Sequence, residues 1–342
     1  MGRIVAVTNL KGGIGKTTTV VNLSAGLALK GARVLLVDVD AQGNLAMALG
    51  ARPRRTLYDV LVDGAKVADC LTPARPNLHL LAANESLLMA QPTLARRPDW
   101  ARALEQALRP VRNEYEFILI DCGGSLTVLN LNALNAASDV IVPTTVEPFA
   151  LKGLEMLVAQ LRQLKGSTSS LRMIVPTMFD PRTRQSVDLL AQLHERYGEL
   201  VAPPIRVNVR ISESSAQGQT IYEFDPRSRG AADYAVLVEQ LSQLWGFAPP
   251  PRPAAMAPRP SARQPAPAAP PPPPGTPAPV ESPTIPPSRP AEPIVTGTGN
   301  MLASACPNCG NPLQRATVAG YRVAYCDQCR YRRQELLSGA PR

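Results

Sequence analysis

A chain of 342 residues exceeds what one hydrophobic core usually sustains, so a full α/β domain plus a smaller unit is expected. The net charge of +9 is spread thinly, about +3 over residues 1–247, +2 over 248–300 and +4 over 301–342, which excludes a strongly basic nucleic-acid domain. No apolar stretch approaches ~18 residues and the run Ile4–Thr8 follows Met1 too closely for a signal peptide, so a soluble, cytoplasmic protein without a membrane partner is expected.

The first element is a β-branched strand, Arg3 to Asn9, followed by a Gly-rich turn and a helix through Val20, Leu23, Leu27 and Leu29 that stops at Gly31. A strand starting this early leaves no room before it for a helix-turn-helix that reads an operator. Further continuous apolar runs, Val34–Val37, Phe117–Ile120, Val140–Pro143 and Met173–Pro176, suit parallel strands buried on both faces. A helix is expected over 186–197. A last one runs from Tyr234 to Trp245, with Tyr234, Leu237, Val238, Leu241, Leu244 and Trp245 on its packed face. Its other face carries Glu239, Gln240 and Gln243 rather than cations, which speaks against a membrane-surface helix. The alternation predicts a doubly wound, mostly parallel sheet of the Rossmann-like P-loop NTPase kind over residues 1–247.

From 248 to 300 the composition changes. Of 36 prolines, 20 lie between Pro249 and Pro293, and such a Pro/Ala/Ser bias predicts a disordered, extended linker. Beyond it, over 301–342, Cys306-Pro307-Asn308-Cys309 and Cys326-Asp327-Gln328-Cys329 form two C-x₂-C knuckles separated by sixteen residues, the spacing of a zinc ribbon. A piece this small needs a metal to fold, so Cys306, Cys309, Cys326 and Cys329 are assigned to Zn²⁺, with hairpin strands between Val318 and Tyr325. The interleaved Tyr321, Arg322, Tyr325, Arg330, Tyr331, Arg332 and Arg333 suit either docking to a protein, the reading preferred here, or contact with nucleic acid.

The chemistry is concentrated at Lys11-Gly12-Gly13-Ile14-Gly15-Lys16-Thr17-Thr18, between the first strand and first helix. Backbone N–H groups and a helix N-terminus there can surround phosphate oxygens, and glycines let the backbone approach. Lys16 would neutralise the outer phosphates of ATP and Thr17 would reach Mg²⁺. Leu10 stands where the usual motif has its first Gly, and a second lysine, Lys11, appears beside it.

With that departure the sequence resembles the ParA/Soj family of partition ATPases, in the deviant Walker A group that includes MinD. The resemblance covers about residues 1–245. It implies a homodimer formed on ATP, in which Lys11 reaches the partner's phosphates. Val37-Asp38-Val39-Asp40 matches the family's second motif, implying that Asp40 orients the attacking water and Asp38 supports the magnesium shell, although Asp38 also suits a mere strand-end turn. Phe117-Ile118-Leu119-Ile120-Asp121 matches a Walker B strand, with Asp121 on Mg²⁺ through a water. The family's Cys-Pro-Pro is replaced by Cys122-Gly123-Gly124, expected to be more pliable, and Cys122 reads as a small buried thiol. Landmarks further on place Asn208 near adenine, with Arg206 where the family has Pro. They place Arg210 and Arg229 on a DNA patch without sequence preference, though both also suit a solubilising surface.

The expected function is an ATPase that dimerises on ATP, binds DNA non-specifically and hydrolyses ATP when a ParB-like partner stimulates it, associating with the nucleoid to segregate or position DNA. The alternatives are a nucleotide-switched adaptor acting through the zinc ribbon, and a MinD-like regulator at a membrane.

Overall fold

The computed structural model describes residues 2–248, 305–318, 321–326, 328–329 and 331–336. Apart from Ala248, the expected linker lies outside the described residues. Two compact units carry the described elements.

The first unit begins β1 (Arg3–Val7), α1 (Lys16–Leu29), β2 (Val34–Asp38), α2 (Asn44–Ala48), α3 (Leu57–Leu61), β3 (Thr72–Arg75), β4 (Leu78–Leu81), α4 (Leu87–Ala95) and α5 (Ala103–Leu108). It continues with β5 (Phe117–Asp121), α6 (Val128–Ala136), β6 (Asp139–Thr145), α7 (Pro148–Lys165), β7 (Leu171–Thr177) and α8 (Arg184–Tyr197). It closes with α9 (Val209–Ala216), α10 (Ile221–Phe224) and α11 (Arg229–Leu244). The sheet order is β3-β4-β2-β5-β1-β6-β7, parallel except for the antiparallel edge pair β3/β4.

Strands β2, β5 and β6 are buried along their whole length, which explains their unbroken apolar runs. Successive residues of one strand feed two cores. Ile4, Ala6, Leu35, Val37, Ile118 and Ile120 join Leu87, Leu104, Leu129, Leu154 and Leu193 on one face. Val5, Val7, Leu36 and Leu119 join Leu23, Leu27, Leu45, Ile221, Tyr234 and Leu241 on the other. The sheet is therefore covered on both sides, with β1 and β5 at its centre.

Two expectations need correction. Leu29 is 72% exposed, because two residues past the buried Leu27 it turns to the opposite side of α1, and Leu244, the last residue of α11, is 50% exposed. Trp245 follows α11 rather than belonging to it, and packs half-buried against Phe117 as expected of that face. The β3/β4 hairpin was not anticipated: Pro73 is tolerated because β3 is an edge strand, and Asn77 turns the chain with a φ of 61°.

In the second unit β8 (Gln314–Val318), β9 (Tyr321–Tyr325) and β10 (Arg332–Leu336) make an antiparallel sheet in the order β10-β9-β8. The expected hairpin is present, but its first strand starts before Val318, and a third strand pairs with β9.

Candidate nucleotide site

The strand order sets the site. β1 sends the chain to one side through α1 and β2, whereas β6 lies on the other, so β1, β2 and β5 end side by side at a topological switch point. Asp121 stands in register with Val7 of β1 and with Asp38 of β2. The loop leaving β1 thus meets two carboxylates at adjacent strand ends.

That loop curls around its own backbone. Gly13 and Gly15 adopt φ values of 70° and 82°, which side chains rarely tolerate. The Asn9 amide donates to the Pro143 carbonyl (2.8 Å), and its Oδ1 accepts from the Lys11 N–H (3.2 Å). Thr177 Oγ1 donates to the Ile14 carbonyl (2.8 Å), tying the loop to the end of β7. Lys16 opens α1, is 8% exposed, and donates its ammonium to the Lys11 carbonyl (2.7 Å). Burial lowers its pKa against the pull of Asp121. A cleft of about 640 Å³ opens here, lined by residues 12–18, by Val39 to Gln42 and by Cys122 to Ser125. Lys16, Thr17, Thr18 and Asp40 are thereby brought together.

The carboxylates differ in their engagement. Both oxygens of Asp38 accept backbone N–H groups, from Asp40 (3.0 Å) and Leu45 (3.2 Å), so its side chain shapes the turn after β2. Burial, reinforced by the charge of Asp121, raises its pKa well above the usual carboxylate range. Burial likewise pushes Asp121 up to about 7, although the Thr17 hydroxyl and Lys16 oppose the rise. Asp121 Oδ1 is buried without a hydrogen-bond partner. An orphaned carboxylate oxygen beside a threonine hydroxyl and a second buried carboxylate fits a divalent cation, which would favour the ionised forms that burial disfavours. Asp40 accepts the Gln42 N–H at Oδ1 (3.1 Å) and is only half-buried.

Some assigned residues lie apart from this cleft. Lys11 is not part of its lining: its Nζ is 2.6 Å from Glu147 Oε2 and 3.4 Å from Thr145 Oγ1, at the junction of β6 and α7. Asn208 does not line it either, and caps α9 through its Oδ1 on the Arg210 N–H (2.9 Å). Arg206 makes a two-pronged pair with Asp233, as close as 2.5 Å. Arg210 is paired with Glu213 (3.0 Å) and Asp225 (3.4 Å) and lies over Phe224, whereas Arg229 opens α11 and is exposed.

Sequence reasoning missed three lining features. Gly123 and Gly124 were read as a source of pliability, yet close packing explains them as well: a Cβ on Gly124 would lie 3.3 Å from the Gly12 nitrogen. Asn130, 2% exposed on α6, hydrogen-bonds that loop, and three asparagines interleaved with leucines in one helix were the available signal. Met178 lines the cleft with a φ of 53°, a strained backbone that its sequence does not advertise.

In the second unit the four thiols of Cys306, Cys309, Cys326 and Cys329 lie within 4.8 Å of one another. The Cys306 and Cys329 sulfurs are 3.3 Å apart, and those of Cys309 and Cys326 are 3.4 Å apart. Gly310, at a φ of 74°, returns its N–H to the Cys306 carbonyl after the first knuckle. The N–H groups of Cys329 and Gln328 pull the Cys326 thiol down to about 7. Against its burial, the Cys306 thiol is also held below its ordinary value by the Asn308 and Cys309 N–H groups, and a convergent set of four thiols with two acidified is the donor chemistry of a structural zinc site.

Comparison with known proteins agrees with this geometry. A family model described as an AAA domain matches residues 2–173. The sporulation initiation inhibitor protein Soj of Bacillus subtilis (strain 168) is 40% identical over 254 residues, 71% of this chain and 99% of that protein. The chromosome-partitioning ATPase Soj of Thermus thermophilus is 42% identical over 243 residues, 70% of this chain and 95% of that protein. Among solved structures, cobyrinic acid a,c-diamide synthase from Mycobacterium smegmatis with bound ADP and magnesium superposes with a TM-score of 0.63 at 35% identity, over 73% of this chain and 98% of that one. MinD from Pyrococcus horikoshii, complexed with Mg-ADP, superposes with a TM-score of 0.61 at 26% identity, over 72% and 99%. With two Soj proteins matched over nearly their whole length at 40% identity or more, this chain belongs to the ParA/Soj family of partition ATPases.

Proposed function

We propose that this protein hydrolyses ATP in a homodimer formed on ATP, binds DNA without sequence preference, and couples the two to segregate or position DNA under a ParB-like stimulating partner. The observation that carries the reading is that Lys16 and Thr17 line the cleft while both act on Asp121 at the end of β5, whose Oδ1 is buried and unpartnered. The chromosome-partitioning Soj relatives support the partition half.

In this reading Gly12–Thr18 cradle the phosphates through backbone N–H groups, and Lys16 moves from the Lys11 carbonyl to phosphate oxygens. Thr17 and Asp121 hold Mg²⁺, with Asp38 shaping the turn beside them, and the bound ion supplies positive charge to the phosphates. Asp40 orients the attacking water with the oxygen that the Gln42 N–H leaves free. Lys11 exchanges Glu147 for the partner's phosphates, and Asn208 lies toward adenine. Residues 1–247 form the ATPase domain, 248–300 link it to the tail, and in 301–342 the four cysteines hold Zn²⁺. No described helix is long and apolar enough to cross a membrane, and the proposed location is the cytoplasm, on the nucleoid.

Retention of the full-length protein on DNA of arbitrary sequence tests this reading. Retention with ATP but not ADP, lost when Arg210 and Arg229 are both changed to Ala, is the expected result. Equal retention with either nucleotide would move the DNA contact to the tail, and none at all would leave a nucleotide-switched adaptor.

A further inference from the structure

Two consecutive glycines after β5 give the segment Gly123–Ser125 little conformational restriction of its own. The segment is nonetheless held tightly. Asn130 on α6 accepts the Gly123 N–H at its Oδ1 (3.1 Å), and its Nδ2 donates to the Gly123 carbonyl (3.0 Å) and to the Ser125 carbonyl. One side chain thus fastens both ends of the loop, and it does so from a site that is 2% exposed.

The platform behind Asn130 is itself anchored. Thr127 caps α6 by accepting the Asn130 N–H (3.2 Å). Asn132 accepts the Leu104 N–H (3.1 Å), and Asn135 donates to the Ala101 carbonyl (3.1 Å). In front of the loop stand two parts of the nucleotide site. A Cβ built on Gly123 would lie 3.4 Å from Asp40 Oδ2, and one on Gly124 would lie 3.3 Å from the Gly12 nitrogen. The loop is therefore a thin backbone wall between α6 and the two segments that face a bound nucleotide.

We propose that Asn130 is a positioning residue for hydrolysis. By fixing the Gly123–Ser125 backbone, it sets the wall against which Asp40 and the phosphate loop hold their geometry. Hydrolysis suffers when such a wall drifts, because misplacement of about 1 Å costs on the order of 100-fold in rate. The catalytic consequence rests on the ATPase reading above, whereas the clamp itself does not.

The buried Cys122 thiol, 1% exposed and directly before the loop, reports on the clamp. In the full-length protein, Asn130→Ala should raise alkylation of Cys122 by iodoacetamide, read by peptide mass spectrometry, about 10-fold, and lower kcat about 10-fold, with KM for ATP changed less than about threefold. Asn135→Ala, which loosens the same helix away from the loop, should lower Tm and leave Cys122 labelling and kcat unmoved. Unchanged labelling in Asn130→Ala, or equal labelling in Asn135→Ala, would overturn the clamp. Raised labelling with unchanged kcat would overturn the positioning role. If the wild-type protein hydrolyses no ATP, the ATPase reading fails, and the labelling comparison still decides the clamp.

Discussion

Two buried carboxylates sit at opposite ends of the same sheet, and their surroundings could hardly differ more. Asp139 opens β6 at the amino end with no side-chain exposure; Arg3 (2.8 Å), Arg172 (2.6 Å) and Ser138 (2.7 Å) all donate to it. Burial alone would raise its pKa, yet these donations outweigh burial and hold it below the ordinary carboxylate value. Asp121 ends β5 at the other end, equally buried, with one oxygen unpartnered and its pKa raised to about 7. A carboxylate surrounded by the chain's own cations is a fastening. One left short of positive charge is prepared for charge that arrives with a ligand.

The largest effect expected is at the carboxyl end. Lys16→Ala should reduce ATP affinity on the order of 100- to 1000-fold, measured by isothermal titration, because the phosphates lose their one buried ammonium. Affinity within threefold of wild type would remove the functional half of the contrast.

The second test uses pH. Between the ordinary carboxylate value of 3.8 and about 7, folded Asp121 holds a proton that the unfolded chain has released. Its contribution to stability is therefore fully present below about 4 and lost as pH rises toward 7. Relative to Asp121→Asn, the metal-free wild type should lose on the order of 2 to 4 kcal/mol across that window. Asp139, held low, should show the opposite sign, contributing stability above the ordinary carboxylate value and losing it as pH falls. Parallel pH profiles for the two aspartates, followed by urea unfolding, would break the comparison.

The smallest effect separates fastening from function at the amino end. Asp139→Asn should cost about 2 kcal/mol, because two charge-assisted bonds weaken while both arginines regain water. ATP affinity should remain that of the wild type. A loss of ATP binding without loss of stability would mean that Asp139 communicates with the nucleotide site.

Much of this was legible in the residues. The runs Val34–Val37, Phe117–Ile120 and Val140–Pro143 declare strands buried on both faces, since a strand with one wet face would alternate. Lys11–Thr18 declares a phosphate loop because few other tasks need three glycines, a lysine and a threonine between strand and helix. The two C-x₂-C pairs announce four thiols that converge, for the same reason of chemistry at fixed spacing.

What the sequence could not decide is which side chains face one another. β1 and β5 are about 115 residues apart in the chain, and only their pairing puts Asp121 opposite Val7 and beside Asp38. The apolar series of α1 and α11 placed Leu29 and Leu244 inside, but which residues at a helix end are covered depends on what packs there. Nothing local relates Lys11 to Glu147, or Asn130 to the glycine wall before Asp40. By itself the sequence determined the fold class, the phosphate loop and the cysteine quartet, because periodicity and motif chemistry are local. The tertiary structure alone decided which buried carboxylate is neutralised and which is left open, because charge compensation depends on distances between segments remote in the chain.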